Sequence, residues 1–217
     1  MSANDMSSGV ICTDVNVTIG ADKILNNVNL RAEPGTITGL IGSNGSGKTM
    51  LLRAICGLVP LTSGSIVASG QRVGTDVDFP DNIGAIIETP GFLPQYSALE
   101  NLRILAKIRA RIGDSEIKAA LKQVGLGGIN KRVGKYSLGM KQRLGIAQAI
   151  MENPDILLLD EPMNGLDKSG VNDMRELFKT LREQGKTILL ASHNPLDIEE
   201  LCDTVYEMDG GVLSKVR

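Results

Sequence analysis

Short apolar segments and helix-like segments alternate along the chain. Residues 10–19, VICTDVNVTI, alternate apolar and polar positions, which predicts a half-exposed strand. Residues 36–42, TITGLIG, form a short β-rich run that ends at a glycine, which predicts a strand leading into a turn. From Lys48 the apolar residues recur at helical spacing, and the predicted apolar face consists of Leu51, Leu52, Ile55 and Leu58. This alternation is typical of an α/β protein.

The second half of the chain returns to strands after a helical interval. Residues 82–88, NIGAIIE, predict a strand, and residues 98–152 have a mostly helical pattern. Two apolar runs, DILLLD at 155–160 and KTILLAS at 186–192, then show the continuous hydrophobicity of strands that are buried on both faces. The pattern predicts an α/β core that a helical segment interrupts.

Composition and charge narrow the class of protein. With 217 residues, of which 42% are hydrophobic, the chain can bury a core of one domain. We expect the core at about residues 1–90 and 151–217, and the helical segment at about residues 91–150. The 23 basic and 25 acidic residues give a formal net charge of −2, so the cationic surplus typical of nucleic-acid-binding proteins is missing. Nucleic acid is therefore not an expected partner.

Targeting segments and cysteines suggest a cytoplasmic setting. The first ten residues, MSANDMSSGV, lack the cationic and apolar regions of a signal peptide, and no run approaches the ~18 apolar residues of a spanning helix. Cys12, Cys56 and Cys202 are odd in number, far apart and without C-x-x-C spacing, which argues against a disulfide framework or a zinc site. We expect them to be small core residues in a reducing compartment.

A glycine-rich loop is the first motif with a chemical meaning. Residues 42–49, GSNGSGKT, match G-x-x-x-x-G-K-[ST] and lie between a predicted strand and a predicted helix. In this context the backbone N–H groups cradle phosphates, Lys48 supplies a point charge for the terminal phosphates, and the Thr49 hydroxyl can bind Mg²⁺. The predicted nucleotide-binding residues are Gly42, Ser43, Asn44, Gly45, Ser46, Gly47, Lys48 and Thr49.

A triphosphate with Mg²⁺ also needs acidic partners, and ILLLDEP supplies two of them. Its apolar residues place Asp160 at the exposed end of a buried strand, where it would hold the metal. Glu161 follows directly, and we expect it to orient and deprotonate the attacking water.

The chain has one histidine, His193, which follows the next strand candidate in ASHNP. A lone histidine is more often structural than catalytic. However, ligands bind at the carboxyl edge of parallel sheets, where this position and Glu161 are both expected. We therefore expect His193 to hydrogen-bond the terminal phosphate.

These motifs together resemble a known family. GSNGSGKT, YSLGMKQR, ILLLDEP, NGLD and SH occur in this order over nearly the whole chain, as in the nucleotide-binding subunit of an ATP-binding cassette (ABC) transporter. The resemblance implies a P-loop NTPase with a RecA-like α/β core, an antiparallel β subdomain and an inserted α-helical subdomain. It implies hydrolysis of ATP with Mg²⁺ by two subunits that clamp head to tail around two ATP molecules.

The resemblance also assigns roles to two segments between the phosphate loop and His193. Residues 164–167 would form the loop that links the two sites of the dimer. Ser137 and Gly139 would belong to a signature that caps the γ-phosphate bound by the other subunit. A helix that starts at such a signature would direct its N-terminus toward that phosphate.

The signature departs from the family's pattern. In place of L-S-G-G-Q, residues 136–140 are YSLGM, so Leu138 replaces the first glycine and Met140 replaces the glutamine. The substitution reduces the backbone freedom and removes one polar contact.

Two further positions differ from the family. The glutamine that links the metal to the helical subdomain aligns best with Glu88, whereas Gln95 lies too far into the following loop. The aromatic residue that stacks on adenine falls near Ile19, which offers apolar contact without an aromatic face. Both Glu88, as a metal contact, and Ile19, as a base contact, are predictions of this alignment.

The segments IIETPGF and YSLGMKQRLGIA most resemble cassettes of drug, bacitracin and lantibiotic exporters. In such systems a separate transmembrane permease is the partner, and the cassette works as a homodimer or heterodimer at the cytoplasmic face of the membrane. We expect the permease to dock in the cleft near Glu88 and TPGFLP. In residues 101–113, helical spacing puts Arg103, Lys107 and Arg111 on one stripe and Ile104, Ile108 and Ile112 on another, which fits a solvated basic face or a membrane contact.

Two other classes of protein remain alternatives. A P-loop kinase would transfer phosphate to a small acceptor and would not need the acidic pair, NGLD and SH. A soluble ABC-type ATPase acting on nucleic acid or ribosomes is disfavoured by the single cassette and by the slightly negative charge.

Overall fold

The computed structural model describes residues 9–217, and most of the segment examined for a signal peptide lies outside them. The strands of this part are β1 (Val10–Ile19), β2 (Asp22–Ala32), β3 (Ile37–Ile41), β4 (Ser63–Ala68), β5 (Gln71–Arg72), β6 (Ile83–Ile86), β7 (Ile156–Asp160), β8 (Thr187–Ala191), β9 (Thr204–Asp209) and β10 (Val212–Lys215). Its helices are α1 (Lys48–Ile55), α2 (Ala98–Arg109), α3 (Asp114–Gln123), α4 (Leu138–Ile150), α5 (Lys168–Glu183) and α6 (Pro195–Leu201). A short 3₁₀ helix covers Val133–Lys135.

The strands form two sheets. The larger sheet has the order β10-β9-β3-β8-β7-β6, and its strands are parallel except for the β10–β9 pair. The smaller sheet has the order β2-β1-β4-β5 and is antiparallel. The α/β core, the antiparallel subdomain and the helices between β6 and β7 confirm the predicted fold class.

The parallel sheet is buried on both faces. In β7, Leu157 and Leu159 join one apolar cluster, whereas Ile156 and Leu158 join the other. The first cluster includes α2–α4 and α5, and the second includes the antiparallel sheet and α1. This explains why the central strands are continuous apolar runs without alternation.

Helix ends differ from the predictions. Helix α1 buries Leu51, Leu52 and Ile55 as expected, but it ends at Ile55, so Leu58 lies beyond the helix and is 57% exposed. Gly57, just after the helix, adopts the left-handed φ of 79°, which ends the helical repeat.

The predicted stripes in residues 101–113 are wrong beyond Arg109. Helix α2 ends there because Ala110 takes a left-handed conformation with φ 52°. Arg111 therefore leaves the helix face and forms an ion pair with Asp81. On the helix itself Ile108 is 77% exposed.

The cysteines are free thiols within the fold, and burial raises the pKa of Cys12, Cys56 and Cys202 to about 12. Across residues 9–217 none of the helices combines the length and the apolar character needed to cross a membrane.

Candidate nucleotide-binding site

The glycine-rich loop connects β3 to α1 at the carboxyl edge of the parallel sheet. Gly42 has φ 138°, and a Cβ added there would lie 2.1 Å from the carbonyl oxygen of Met208, so only glycine fits. Gly47, the residue before α1, has φ 117°. The loop thus directs the first N–H groups of the helix into an open cleft.

Lys48 is held inside this loop. Its side chain is buried, and Nζ donates hydrogen bonds to the carbonyl oxygens of Gly42 at 2.7 Å and Ser43 at 2.9 Å. The buried hydroxyl of Ser46 has no hydrogen-bond partner in the described chain. A cation and a spare hydroxyl in one glycine cradle suit a polyphosphate.

Asp160 ends β7, the strand next to β8 in the sheet. Its Oδ2 accepts a hydrogen bond of 2.7 Å from the Thr49 hydroxyl. Asp160 is only 7% exposed, so the prediction of an exposed strand end is wrong for this residue. It is still within the sheet, because it pairs with Ala191 of β8, and its carboxylate is held by Thr49 at the wall of the cleft.

Glu161 is fixed by contacts of its backbone and of its side chain, and the Asn164 N–H donates to its carbonyl oxygen at 3.2 Å. Its backbone N–H donates to Ala191 at 2.9 Å, and its carbonyl oxygen accepts from Gln142 Nε2 at 3.2 Å. Its Oε1 lies 2.9 Å from Nδ1 of His193. The residue has φ 48°, an unusual value for a non-glycine residue, which is often found at functional sites.

His193 follows β8 and lies beside Glu161, as the shared sheet edge predicted. The sequence did not indicate that the two side chains touch. Because the His193 side chain is 62% exposed, its other ring nitrogen remains open to a ligand.

Glu88 lies two residues beyond the end of β6, with φ 61°. It lines the cleft, and its Oε1 lies 2.8 Å from Arg53 Nη2 on α1. Arg53 was not among the predicted site residues, because it lies five positions beyond Lys48 and has no motif of its own. Gln95 does not line the cleft within the described chain.

The cleft has a volume of about 560 Å³. Ile24 lines it, whereas Ile19 lies at the β1–β2 turn, is 52% exposed and is not part of the lining within residues 9–217. Strand β2 passes over the phosphate loop, since the carbonyl of Ile24 lies 3.3 Å from a Cβ added at Gly47. The fold brings Ile24 here by packing β2 on the distant segments around Gly47 and Gly211, so local sequence could not identify it.

The signature segment begins α4. Ser137 is the N-cap, and its Oγ accepts a hydrogen bond of 3.2 Å from the Met140 N–H. Leu138 is 62% exposed and lines the mouth of the cleft, whereas Ser137 and Gly139 do not line it in the described chain. Gly139 packs against Gly165, because an added Cβ would lie 2.9 Å from the Gly165 oxygen.

A glycine cradle that opens onto a helix, with an aspartate and a glutamate at the end of a neighbouring buried strand, defines a P-loop nucleoside triphosphatase. A family model described as ABC transporter matches residues 25–164. The chain is 50% identical to the uncharacterized ABC transporter ATP-binding protein YybJ of Bacillus subtilis (strain 168). The alignment extends over 191 residues and covers 88% of each chain.

Two further likenesses agree with that match. The chain is 42% identical over 197 residues to the bacitracin transport ATP-binding protein BcrA of Enterococcus faecalis, which covers 89% of this chain but 64% of BcrA. A solved dimeric ATP-binding cassette in a post-hydrolysis state, bound to ADP and Pi, superposes with a TM-score of 0.83 at 25% identity, covering 96% of this chain and 99% of that chain.

The chain therefore belongs to the ABC transporter family, as an ATP-binding subunit of the ATPase type. The predicted family is confirmed, and so is the resemblance to bacitracin-type cassettes. Membership of this family sets aside the P-loop kinase alternative.

Proposed function

We propose that this chain hydrolyses ATP with Glu161 as the general base and thereby powers export through a separate permease. The observation that supports this most directly is the shared cleft: Lys48, Thr49, Asp160 and Glu161 all line it. Lys48 binds the terminal phosphates by charge, and Glu161 accepts a proton from the attacking water. His193 keeps Glu161 oriented through the 2.9 Å contact and offers its free ring nitrogen to the γ-phosphate.

Mg²⁺ fits the donors of this cleft. Thr49 and Asp160 offer hard oxygen ligands that already meet at 2.7 Å, and Glu88 lines the same space. In the described chain no three His, Cys, Asp or Glu side chains cluster as a metal site of their own. When bound, Mg²⁺ would be held by Thr49 and Asp160 with Glu88 nearby, and it would supply positive charge against the phosphates.

The active unit is a head-to-tail dimer. Ser137 and Gly139 do not line their own chain's cleft in residues 9–217, and the N-terminal N–H groups of α4 provide an anion site. We assign this signature to the nucleotide of the other subunit, and the loop 164–167 to the link between the sites. The dimeric state of the similar solved cassette supports this arrangement.

The permease docks beside the helical subdomain, which we place at about residues 91–150. A groove of about 250 Å³ there is lined by Ile87, Pro90, Leu105 and Gln148, next to Glu88. Its lining of apolar side chains together with Thr89 and Gln148 suits a short amphipathic helix of a membrane protein. Bacitracin-like or other peptide antibiotics are the proposed cargo, by analogy with BcrA, and the chain would work at the cytoplasmic face of the membrane.

Phosphate release from ATP by the purified chain tests the activity. We expect hydrolysis with Mg²⁺ and none in EDTA, and a loss of about 10²-fold or more in Lys48→Ala, because a charge that stabilises the transition state is removed. Lys118→Ala, on the exposed side of α3, is the matched control and should keep the wild-type rate. Hydrolysis that survives EDTA or the loss of Lys48 would contradict the proposal.

A further inference from the structure

A buried ion pair lies outside the nucleotide cleft, between α5 and α6. Arg175 is 7% exposed and Asp197 is 2% exposed. Arg175 Nε donates to Asp197 Oδ1 at 2.9 Å, and Arg175 Nη1 donates to Glu200 Oε1 at 2.8 Å. Removing such charges from water offsets much of their attraction, so a buried pair is weak evidence for a stabilising role. The geometry that the pair fixes is the more informative property.

The second oxygen of Asp197 reaches the segment that carries His193. Ser192 Oγ donates to Asp197 Oδ2 at 3.2 Å and accepts a hydrogen bond of 3.1 Å from the Asn194 N–H. Ser192 is 2% exposed, and its own N–H donates to Leu40 at 3.2 Å. The residues on both sides of His193 are therefore tied to the core.

His193 itself is not held by packing, because 62% of its side chain is exposed. The position of its ring depends on the backbone of residues 192–194 and on the contact with Glu161. The same strand end also holds Glu161, since the Ala191 carbonyl accepts the Glu161 N–H at 2.9 Å. A shift of Ser192 would thus move both partners of the pair relative to each other.

We infer that Arg175, Asp197 and Ser192 form a brace whose task is to position His193 on Glu161. Arg175 orients the Asp197 carboxylate, the carboxylate fixes the Ser192 hydroxyl, and the hydroxyl fixes the backbone at Asn194. These three are positioning residues, because they reach the ring of His193 only through hydrogen bonds and the backbone of residues 192–194. Ser192 and His193 both line a cavity of about 460 Å³ beside the glycine-rich loop. The inference rests on the proposed pairing of His193 and Glu161 in hydrolysis.

The single histidine permits a direct test, because tag-free chain labelled with ¹⁵N-histidine gives one set of ring signals in NMR. Glu161→Ala provides the reference spectrum of a ring without its carboxylate partner. We expect Ser192→Ala, which leaves the Arg175–Asp197 pair in place, to move the His193 signals at least halfway toward that reference. Ser214→Ala, at an exposed position of β10, is the matched control and should leave them at the wild-type values.

The steady-state constants provide a second readout. A misplaced ring should lower kcat about 10-fold or more while KM for ATP stays within about 2-fold, because a positioning residue affects the reacting geometry and not the binding of the phosphates. Asp197→Asn should change both readouts in the same direction as Ser192→Ala. Wild-type ring signals in folded Ser192→Ala, or a loss of thermal stability with unchanged kcat, would overturn the inference.

The ring signals also separate this inference from the proposed function, since they require no turnover. If the signals move in Ser192→Ala but Glu161→Gln hydrolyses ATP at the wild-type rate, the brace stands and the role of Glu161 fails. If Glu161→Gln is inactive but the ring signals of Ser192→Ala do not move, the proposed function stands and the brace fails.

Discussion

Two regions of the molecule differ in how many of their contacts are made within the chain. The first is the carboxyl end of β7 and β8 with Asp160, Glu161 and His193, here called the catalytic edge. The second is residues 136–140 at the start of α4, here called the signature end. At the catalytic edge, Thr49 is hydrogen-bonded to Asp160, and Glu161 is in contact with His193. At the signature end, Ser137 caps its own helix and Leu138 is 62% exposed. The contacts of the first region lie within the chain, whereas the second ends in an exposed segment at the start of α4.

The difference follows from how each region is built. The carboxyl ends of adjacent parallel strands meet at one edge, so residues that follow β7 and β8 come together whatever their distance in sequence. The signature does not follow a strand; its Gly139 packs against the loop around Gly165, and Tyr136 packs into the apolar cluster beside it. We therefore expect that a substitution at the catalytic edge abolishes ATP hydrolysis at that site. A substitution in the signature should be compensated when a second chain brings an intact signature to the same site.

The largest expected effect is the loss of the base at the catalytic edge. Glu161→Gln keeps the size of the side chain but removes its basicity, so turnover should fall on the order of 10²- to 10⁴-fold while ATP binding persists. A dimer stabilised by ATP and Mg²⁺ should then accumulate in size-exclusion chromatography.

Glu183→Gln, at the exposed end of α5, is the control for Glu161→Gln and should turn over and elute as the wild type does. A Glu161→Gln chain with normal phosphate release would remove this residue from the role of base.

The next effect concerns Glu88, which lies in the same cleft as Asp160 and Glu161. Glu88 lines the cleft and pairs with Arg53, whereas Gln95 does neither in the part of the chain that the structure describes. Glu88→Ala should therefore lower Mg²⁺-dependent turnover and its stimulation by the permease, by roughly 10-fold for one lost charged contact. Gln95→Ala should leave both rates within a factor of about two. The measurement is the rate of ATP hydrolysis as a function of Mg²⁺ concentration in both variants. A large loss in Gln95→Ala with little change in Glu88→Ala would show that the alignment of this loop is wrong.

The smallest effect is on the stability of the signature end. Gly165 has φ 76°, and an added Cβ would lie 2.6 Å from Leu138 Cδ2. Gly165→Ala should destabilise the fold by about 1–3 kcal/mol, from backbone strain plus overlap, and lower Tm by several degrees. Leu138→Ala in the same chain should recover the part that is due to overlap. If Gly165→Ala lowered the free energy of unfolding by the same amount in the wild type and in Leu138→Ala, the two residues would not pack together.

The sequence predicted most of the catalytic edge because its residues follow recognisable strand ends. GSNGSGKT connects β3 to the start of α1, ILLLDEP covers β7 and the two residues after it, and ASHNP begins at the last residue of β8. Contacts between side chains of distant segments could not be predicted in this way. One example is the ion pair of Glu88, in the loop after β6, with Arg53 on α1. Another is the brace of Arg175, Asp197 and Ser192, which connects α5, α6 and the end of β8. Such contacts between distant segments leave no pattern in the local sequence.

The helix ends show the same limit on a smaller scale. Apolar spacing continued past Ile55 and past Arg109, but the chain turned at Gly57 and at Ala110 with positive φ. The glycine at position 57 could have predicted the end of α1, because glycine readily adopts positive φ. The alanine at position 110 gave no such indication, because alanine rarely does. Ile24 likewise reached the cleft through packing against the distant phosphate loop and not through a motif.

The measurement that tests the trans assignment most directly uses two defective subunits. Lys48→Ala should abolish phosphate binding, and Ser137→Arg should block the signature with a bulky charge, so each homodimer should be inactive. Heterodimers isolated through two different tags contain one site with both defects and one site with intact Lys48 and intact Ser137. We predict that these heterodimers hydrolyse ATP well above the sum of the two homodimers. If folded, isolated heterodimers showed no more hydrolysis than the homodimers, the signature would serve its own chain and the account would be contradicted.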